Sequence, residues 1–352
     1  MPDFTSALYL GLRHAARSLR PWAQLTTGVP AALETPPEAR LIARRLAALV
    51  GCETGLLAPS TLHLFFDLPV LARKPDVVLL ERGTYSVGAW GAARAGVVHG
   101  FRQHDPRALH AALLRIPHGQ RALIVVDGLA AGERGVGPLA AYSRLAVRYG
   151  ARMVVDDTQA LGILGARPDV AHPYGHGGGG SLRFHGIDGR HLIVIASLAK
   201  GFGVPLAVLA GARSEVDRFA ERSATRMHSS PPSIAGLRAA ERALALNRSE
   251  GAARRARLAR LVLLFRAELA KAGIPVSGGI FPVQTLPGMR ARDAAALHAE
   301  LARRDVRAVV QRLPRARGRL CFLLSARHSR RGVLLATATV TELLAGREAA
   351  AA

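Results

Sequence analysis

Short runs of aliphatic and β-branched residues alternate along this chain with longer segments in which Ala and Leu recur at helical spacing. The apolar runs Gly55–Leu57, Val77–Leu80, Val97–Phe101, Ala122–Val126, Met153–Val155, Leu192–Ala196 and Val204–Ala210 read as buried strands. Between them, Glu38–Val50, LHLFFDL (62–68), GAWGAARAG (88–96), Pro106–Leu114 and residues 138–149 read as helices, with Pro36-Pro37 and Pro59 marking two helix starts. Residues 233–272 read as one long helix after Pro231-Pro232. Beyond Gly273 come strand Phe281–Leu286, helix Arg292–Arg304, strands Val306–Val310 and Arg319–Leu324, and helix Arg330–Leu344. The alternation predicts an α/β fold whose mostly parallel sheet is covered on both faces, with a second, smaller α/β domain. We expect residues 1–37 to pack with the small domain, 38–235 to form the large domain, and 236–352 the small domain with its linking helix.

Composition narrows the class. Hydrophobic residues make up 49% of the 352 residues, which suits a globular chain. The apolar runs are too short to span a bilayer, and MPDFTSALYL has no basic segment before an apolar core, so a cytoplasmic protein without a membrane partner is expected. Cys52 and Cys321 give neither a disulfide framework nor a metal spacing. The formal net charge is +23, but the arginines are spread along helical stretches such as residues 39–49 and 253–269. That dispersion argues against nucleic acid as a partner, while a positive surface would still attract phosphorylated or coenzyme A-type substrates.

Chemistry concentrates at strand ends. In LIVIASLAKGFG (192–203) an apolar strand stops at Ser197, and Lys200 follows between small residues. In MVVDDTQALGILG (153–165) another strand ends in Asp156 and Asp157, and Ala122–Val126 ends in Asp127. Ligands of parallel sheets gather at the carboxyl ends of strands, which groups Asp127, Asp156 and Lys200. A lysine amine so placed can form a Schiff base, and a nearby carboxylate can keep a pyridine nitrogen protonated, which is what pyridoxal phosphate requires. Ser60 and Thr61, at a helix start after Pro59, offer N–H groups and hydroxyls to a phosphate. The stretch HPYGHGGGGSLRFHG (172–186) is rich in His and Gly. The spacing of His172, His176, His185 and His191 fits no zinc pattern, so a mobile loop near the site is expected there, and no metal.

These segments resemble the alpha-oxoamine synthases, the fold-type-I pyridoxal phosphate family that includes oxononanoate synthases and glycine C-acetyltransferases. The matching text is VVDDTQALGILG (154–165) and IVIASLAKGFGVPLAVLAG (193–211), supported in order by YLGLRH (9–14), ERGTYS (81–86), FRQHD (101–105), SSPPSIAGLRA (229–239) and GRLCFLLSARHS (318–329). The resemblance implies a seven-stranded large domain and a homodimer. It implies that Lys200 holds the cofactor and moves protons at the substrate alpha carbon, that Asp156 binds the pyridine nitrogen, and that Asp157 holds the turn. Gln159 stands where the family has a histidine beside the phenolic oxygen, and Tyr85 where a histidine stacks on the ring. Ser197, with Ser60 and Thr61, would hold the phosphate, and Ser229 would reach the phosphate from the partner subunit.

Two departures bear on the substrate. Cys321 occupies the place of a carboxylate-binding arginine, so either Arg312 or Arg319 serves instead or the substrate lacks an alpha-carboxylate, and Ala131 replaces a serine. The expected reaction is condensation of an amino acid with an acyl-CoA or carrier-bound thioester, with decarboxylation. The alternatives are an aminotransferase, or another pyridoxal phosphate reaction, on an amine or amino-acid substrate, and a non-catalytic anion-binding scaffold.

Overall fold

The structure is a computed structural model that describes residues 1–351 except Pro21, Lys74, Pro75 and residues 131–134. Ala131 therefore lies outside the described residues. The described residues divide into two compact units, one formed by Leu12–Ala130 and Val136–Gly251, the other by Met1–Gly11, Gly135 and residues 252–351.

The first unit is built on a seven-stranded sheet. Its strands are β1 (Thr54–Ala58), β2 (Val77–Glu81), β3 (Val98–Phe101), β4 (Ala122–Asp127), β7 (Arg152–Asp156), β8 (Leu192–Ser197) and β9 (Ala207–Gly211), in the order β1-β9-β8-β7-β4-β2-β3. Two-residue strands β5 (Leu129–Ala130) and β6 (Gly135–Val136) lie outside that sheet. Neighbours from β8 to β3 are parallel, and only β9 runs the other way, antiparallel to both β8 and β1. Strands β4 and β8 are apolar up to their last residue because both sheet faces are covered: Ile124, Val125, Val126, Val194 and Ile195 are fully buried. On one face Val78, Leu123, Val125, Val154 and Ile195 pack with Leu64, Phe65, Leu68 and Phe219 from helical segments.

Register brings distant residues to one edge. Asp127 of β4 pairs with Asp156 of β7, which pairs with Ile195 of β8. Two residues further along, Ser197 of β8 and Ala58 of β1 both pair with Ala207 of β9. Ser197 and the end of β1 thus stand level, two strand spacings or roughly 10 Å apart.

In the second unit, β13 (Arg317–Leu323) is flanked antiparallel by β12 (Val309–Leu313) on one side, and by β10 (Val283–Thr285) and β11 (Met289–Arg290) on the other. Phe322 packs on Phe4 and Phe265, with ring centroids 5.8 and 5.1 Å away. The N-terminal strand-like segment is stitched in by hydrogen bonds from Phe4 N to Arg307 O (2.9 Å) and from Leu323 N to Phe4 O (2.9 Å).

Several expectations change. Only residues 1–11 join the small unit; Leu25 and Ala31 are instead bonded within the large one, Leu25 O accepting from Ile234 N and Ala31 N donating to Ser229 O. The long helix is two, Ile234–Ser249 and Gly251–Lys271, interrupted at Glu250 (φ −120°), and the unit boundary falls there rather than at 235. A Gly beside the break removes helix propensity where a continuous helix would need it. The strand expected at Val306–Val310 starts three residues later. Among the described residues, no helix is long and apolar enough to cross a membrane.

Phe65 is fully buried in the core that holds the strand ends level. Phe65→Ala should lower unfolding free energy by about 3–5 kcal/mol in chemical denaturation, because neighbouring backbone cannot collapse into the cavity. A loss under about 1 kcal/mol would mean this face is not the close-packed core described here.

Candidate active site

Three strand ends and one tight turn build the site. Backbone bonds lock the strand ends together: Gly128 N donates to Asp156 O (2.8 Å) and Asp157 N to Ile195 O (2.8 Å). Lys200 sits in the short connection between β8 and β9, which is closed by Leu198 N to Leu206 O (2.8 Å) and Phe202 N to Leu198 O (3.0 Å). Its amine lies 5.8 Å from the ring centroid of Tyr85. Tyr85, at the start of the helix Ser86–Ala95, donates its backbone N–H to Asp127 Oδ2 (3.0 Å). The structure therefore brings Lys200, Asp156, Asp127, Tyr85 and Ser197 to one sheet edge.

Burial sets the electrostatics there. Asp156 is 6% exposed, and burial raises its pKa, opposed by hydrogen bonds from Thr158 and by the Lys200 charge. Asp127 is pushed up to about 8 by burial and by the Asp156 carboxylate, against the Tyr85 N–H. Burial also lowers the pKa of Lys200, while Asp156 and Asp127 pull it back up. The result is an amine that loses its proton more readily than an ordinary lysine, near two acids that are reluctant to ionise together.

Sequence reasoning expected Asp157 to hold the turn but missed its partner Ser181, and it missed Thr158 altogether. Thr158 donates its N–H to Asp156 Oδ1 (3.0 Å), and its hydroxyl oxygen accepts from Ser197 N (3.0 Å), so one side chain ties β7 to the start of the lysine turn. The signal was the Asp-x-Thr spacing, which suits an Asx-type turn. Asp157 is 1% exposed and accepts from Ser181 N (3.0 Å) and from the Ser181 hydroxyl. Burial raises its pKa to about 7, opposed by the Ser181 bonds. A Cβ added to Gly180 (φ +86°) would lie 1.8 Å from Asp157 Oδ2, and one on Gly128 2.3 Å from Oδ1. Asp157 is therefore a clamp between the end of β4, the end of β7 and the short helix Ser181–Phe184.

The remaining residues fall in separate places. Gln159 lies in the turn just after Asp157. Ser60 and Thr61 open the helix Thr61–Phe66 beyond the end of β1, and Ser60 Oγ lies 2.9 Å from His63 Nδ1. Ser229 donates its hydroxyl to Thr225 O (2.6 Å). The stretch 172–186 is tied down rather than loose: Gly162 N donates to Gly178 O (2.8 Å), and Ala166 and His176 exchange a pair of backbone bonds. Its glycines admit the close backbone approach that these bonds require.

Arg312 and Arg319 belong to the other unit. Arg319 pairs with Gln311 across the ladder and donates its Nε to Gln311 Oε1 (2.7 Å), while Cys321 Sγ contacts the same oxygen at 3.5 Å. Alternate residues of a strand share a face, so Arg319 and Cys321 lie together. Arg312 pairs instead with Gly318, whose Cβ direction meets Ala294 of the helix Ala291–Arg303. Of the two arginines expected to replace the missing one, only Arg319 shares the face of Cys321.

Known proteins supply the family. Residues 60–333 match the family model described as aminotransferase class I and II. An 8-amino-7-oxononanoate synthase of Acidithiobacillus ferrooxidans is 31% identical over 315 residues, covering 88% of this chain and 77% of that one. One from Anaeromyxobacter dehalogenans is 31% identical over 324 residues, with 89% and 77% covered. Among solved structures, the serine palmitoyltransferase of Sphingomonas wittichii superposes with a TM-score of 0.85 at 17% identity, covering 97% of this chain and 86% of that one. The 8-amino-7-oxononanoate synthase of Francisella tularensis gives 0.79 at 15% identity, with 99% of each chain covered. The structural likeness fixes the fold, the sequence likeness extends through the strand ends just described, and together they make this chain a member of the class I and II aminotransferase family, in its alpha-oxoamine synthase group of pyridoxal phosphate-dependent fold-type-I transferases.

Proposed function

We propose that the chain joins an amino acid to an acyl thioester, with loss of the amino acid's carboxylate, using the strand-edge site as its cofactor and reaction centre. The observation that carries this reading is the placement of Lys200 within electrostatic reach of Asp156 and Asp127, in a chain that matches an oxononanoate synthase over 88% of its length.

The residues present fit pyridoxal phosphate. An amine with a lowered pKa can attack the aldehyde carbon, and a buried carboxylate whose own bonds come from Thr158 retains capacity to hold a protonated ring nitrogen. Tyr85 offers an aromatic face beside the amine. Ser197, with Ser60 and Thr61 across β9, offers hydroxyls and N–H groups to a phosphate. When bound, the cofactor supplies an electron sink for the bond broken at the substrate alpha carbon. Lys200 Nζ then takes and returns a proton at that carbon, and Asp156 holds the proton on the ring nitrogen. Burial and the neighbouring Asp156 carboxylate push Asp127 up to about 8, which disfavours ionising both acids together. The Gln159 amide donates to the phenolic oxygen but moves no proton. Arg319 is the cation we assign to the substrate carboxylate, held by Gln311. We read the working form as a cytoplasmic homodimer in which Ser229 serves the partner's phosphate; the SSPPSIAGLRA match supports that reading, and sedimentation tests it.

Incubated with acyl-CoA and a panel of amino acids, the protein should release free CoA thiol with at least one pair. Gln159 and Cys321, both out of the family's pattern, favour transamination as the second reading. Absence of thiol release, with conversion of the cofactor to its amine form by an amino donor, would select it.

The carboxyl pair gives a pH test on cofactor-free protein. Because the folded pKa of Asp127 is raised to about 8, the folded state holds a proton that the unfolded chain has already lost at about pH 4. Its contribution is complete below the unfolded pKa and is lost as pH rises towards about 8. Asp127→Asn removes that loss, so its stability relative to the original protein should grow between pH 5 and pH 8 in chemical denaturation. An unchanged difference between those pH values would contradict the assignment.

A further inference from the structure

The hairpin beyond the Gln159 turn carries a second constellation that the reaction does not use. Asp169, His172 and His176 are all exposed, and one ligand atom from each lies within 4.8 Å of the others. The rings of His172 and His176 are tilted by 43° to each other, with centroids 4.5 Å apart. Asp169 Oδ1 lies 3.3 Å from His172 Nδ1 and also accepts the backbone N–H of His172 at 2.6 Å, which fixes the carboxylate across the turn. Bonds of about 2.0–2.1 Å in a tetrahedron put neighbouring ligand atoms roughly 3.3–3.4 Å apart. The Asp169–His172 pair already has that spacing, and the exposed His176 offers a third ligand atom within 4.8 Å of both.

The backbone beneath is fixed. Ala166 N donates to His176 O (2.9 Å), His176 N to Ala166 O (2.8 Å), Gly165 N to Tyr174 O (2.8 Å) and Gly175 N to His172 O (2.7 Å). Tyr174 is 1% exposed and anchors the hairpin from below. The four consecutive glycines at 177–180 supply none of the ligands, so their freedom does not count against a site.

We propose that Asp169, His172 and His176 bind a borderline divalent transition metal such as Zn²⁺, with water completing the shell. Two imidazoles and one carboxylate without a thiolate suit Zn²⁺, Co²⁺ or Ni²⁺, and disfavour Mg²⁺ and Ca²⁺, which take oxygen ligands. The ion clips the far end of a ribbon whose near end is Gly162 and Gly178, directly after Gln159 and the Asp157 clamp. Its role is to hold the hairpin, separate from the chemistry at Lys200.

The test uses tag-free, chelator-treated full chain, with Zn²⁺ titrated calorimetrically and Co²⁺ followed by its visible absorption. One equivalent should bind saturably, and His172→Ala with His176→Ala should weaken binding by about 100-fold or more. His176→Gln, which keeps the side chain's bulk, and Asp169→Asn should each weaken it by about 10-fold or more. His191→Ala, at an exposed histidine outside the cluster, should leave it unchanged. No saturable binding to the original chain, or the same affinity in the double variant or in His176→Gln, would overturn the proposal.

Discussion

Two carboxylates and one amine, buried or half-buried at adjacent strand ends, form the constraint on which the rest of this structure depends. Asp127 and Asp156 are in register on neighbouring parallel strands, so their side chains cannot be moved apart without slipping the sheet. Asp156 is buried and Asp127 half-buried, and two like charges held this way favour one neutral acid. Lys200 provides the compensating charge, and burial weakens its own hold on a proton. Reactivity at this edge follows from that balance.

Keeping the groups in place falls to residues that do no chemistry. The uniformly apolar centres of β4, β7 and β8 fix the strand levels, Thr158 links Asp156 to Ser197, and Asp157 binds the Ser181 segment against the end of β4. The glycines at 128 and 180 are consequences of that clamp, because any side chain there would occupy the space of a carboxylate oxygen. A polar cluster buried this deeply is tolerable because its members satisfy one another, and the same satisfaction makes it rigid.

Much of this was legible before the coordinates. Apolar runs located all seven strands of the large sheet, since strands buried on both faces are continuous in sequence, and Asp127, Asp156 and Lys200 followed from their position at run ends. What sequence could not carry were contacts set by long-range register. The Asp157–Ser181 clamp spans 24 residues, and the face of Arg319 as against Arg312 depends on how β12 aligns with β13. The break at Glu250 was hidden because both helices share one periodicity. The hairpin that gathers Asp169, His172 and His176 was invisible because its ladder is made by backbone atoms, which composition does not report.

The most direct test of the central claim is the absorption spectrum of the purified chain on addition of pyridoxal phosphate, taken alongside Lys200→Ala. The account predicts a visible Schiff-base band in the original chain that is irreversibly fixed by borohydride on the peptide containing Lys200, and its absence in Lys200→Ala. An undiminished band and undiminished activity in Lys200→Ala would contradict it.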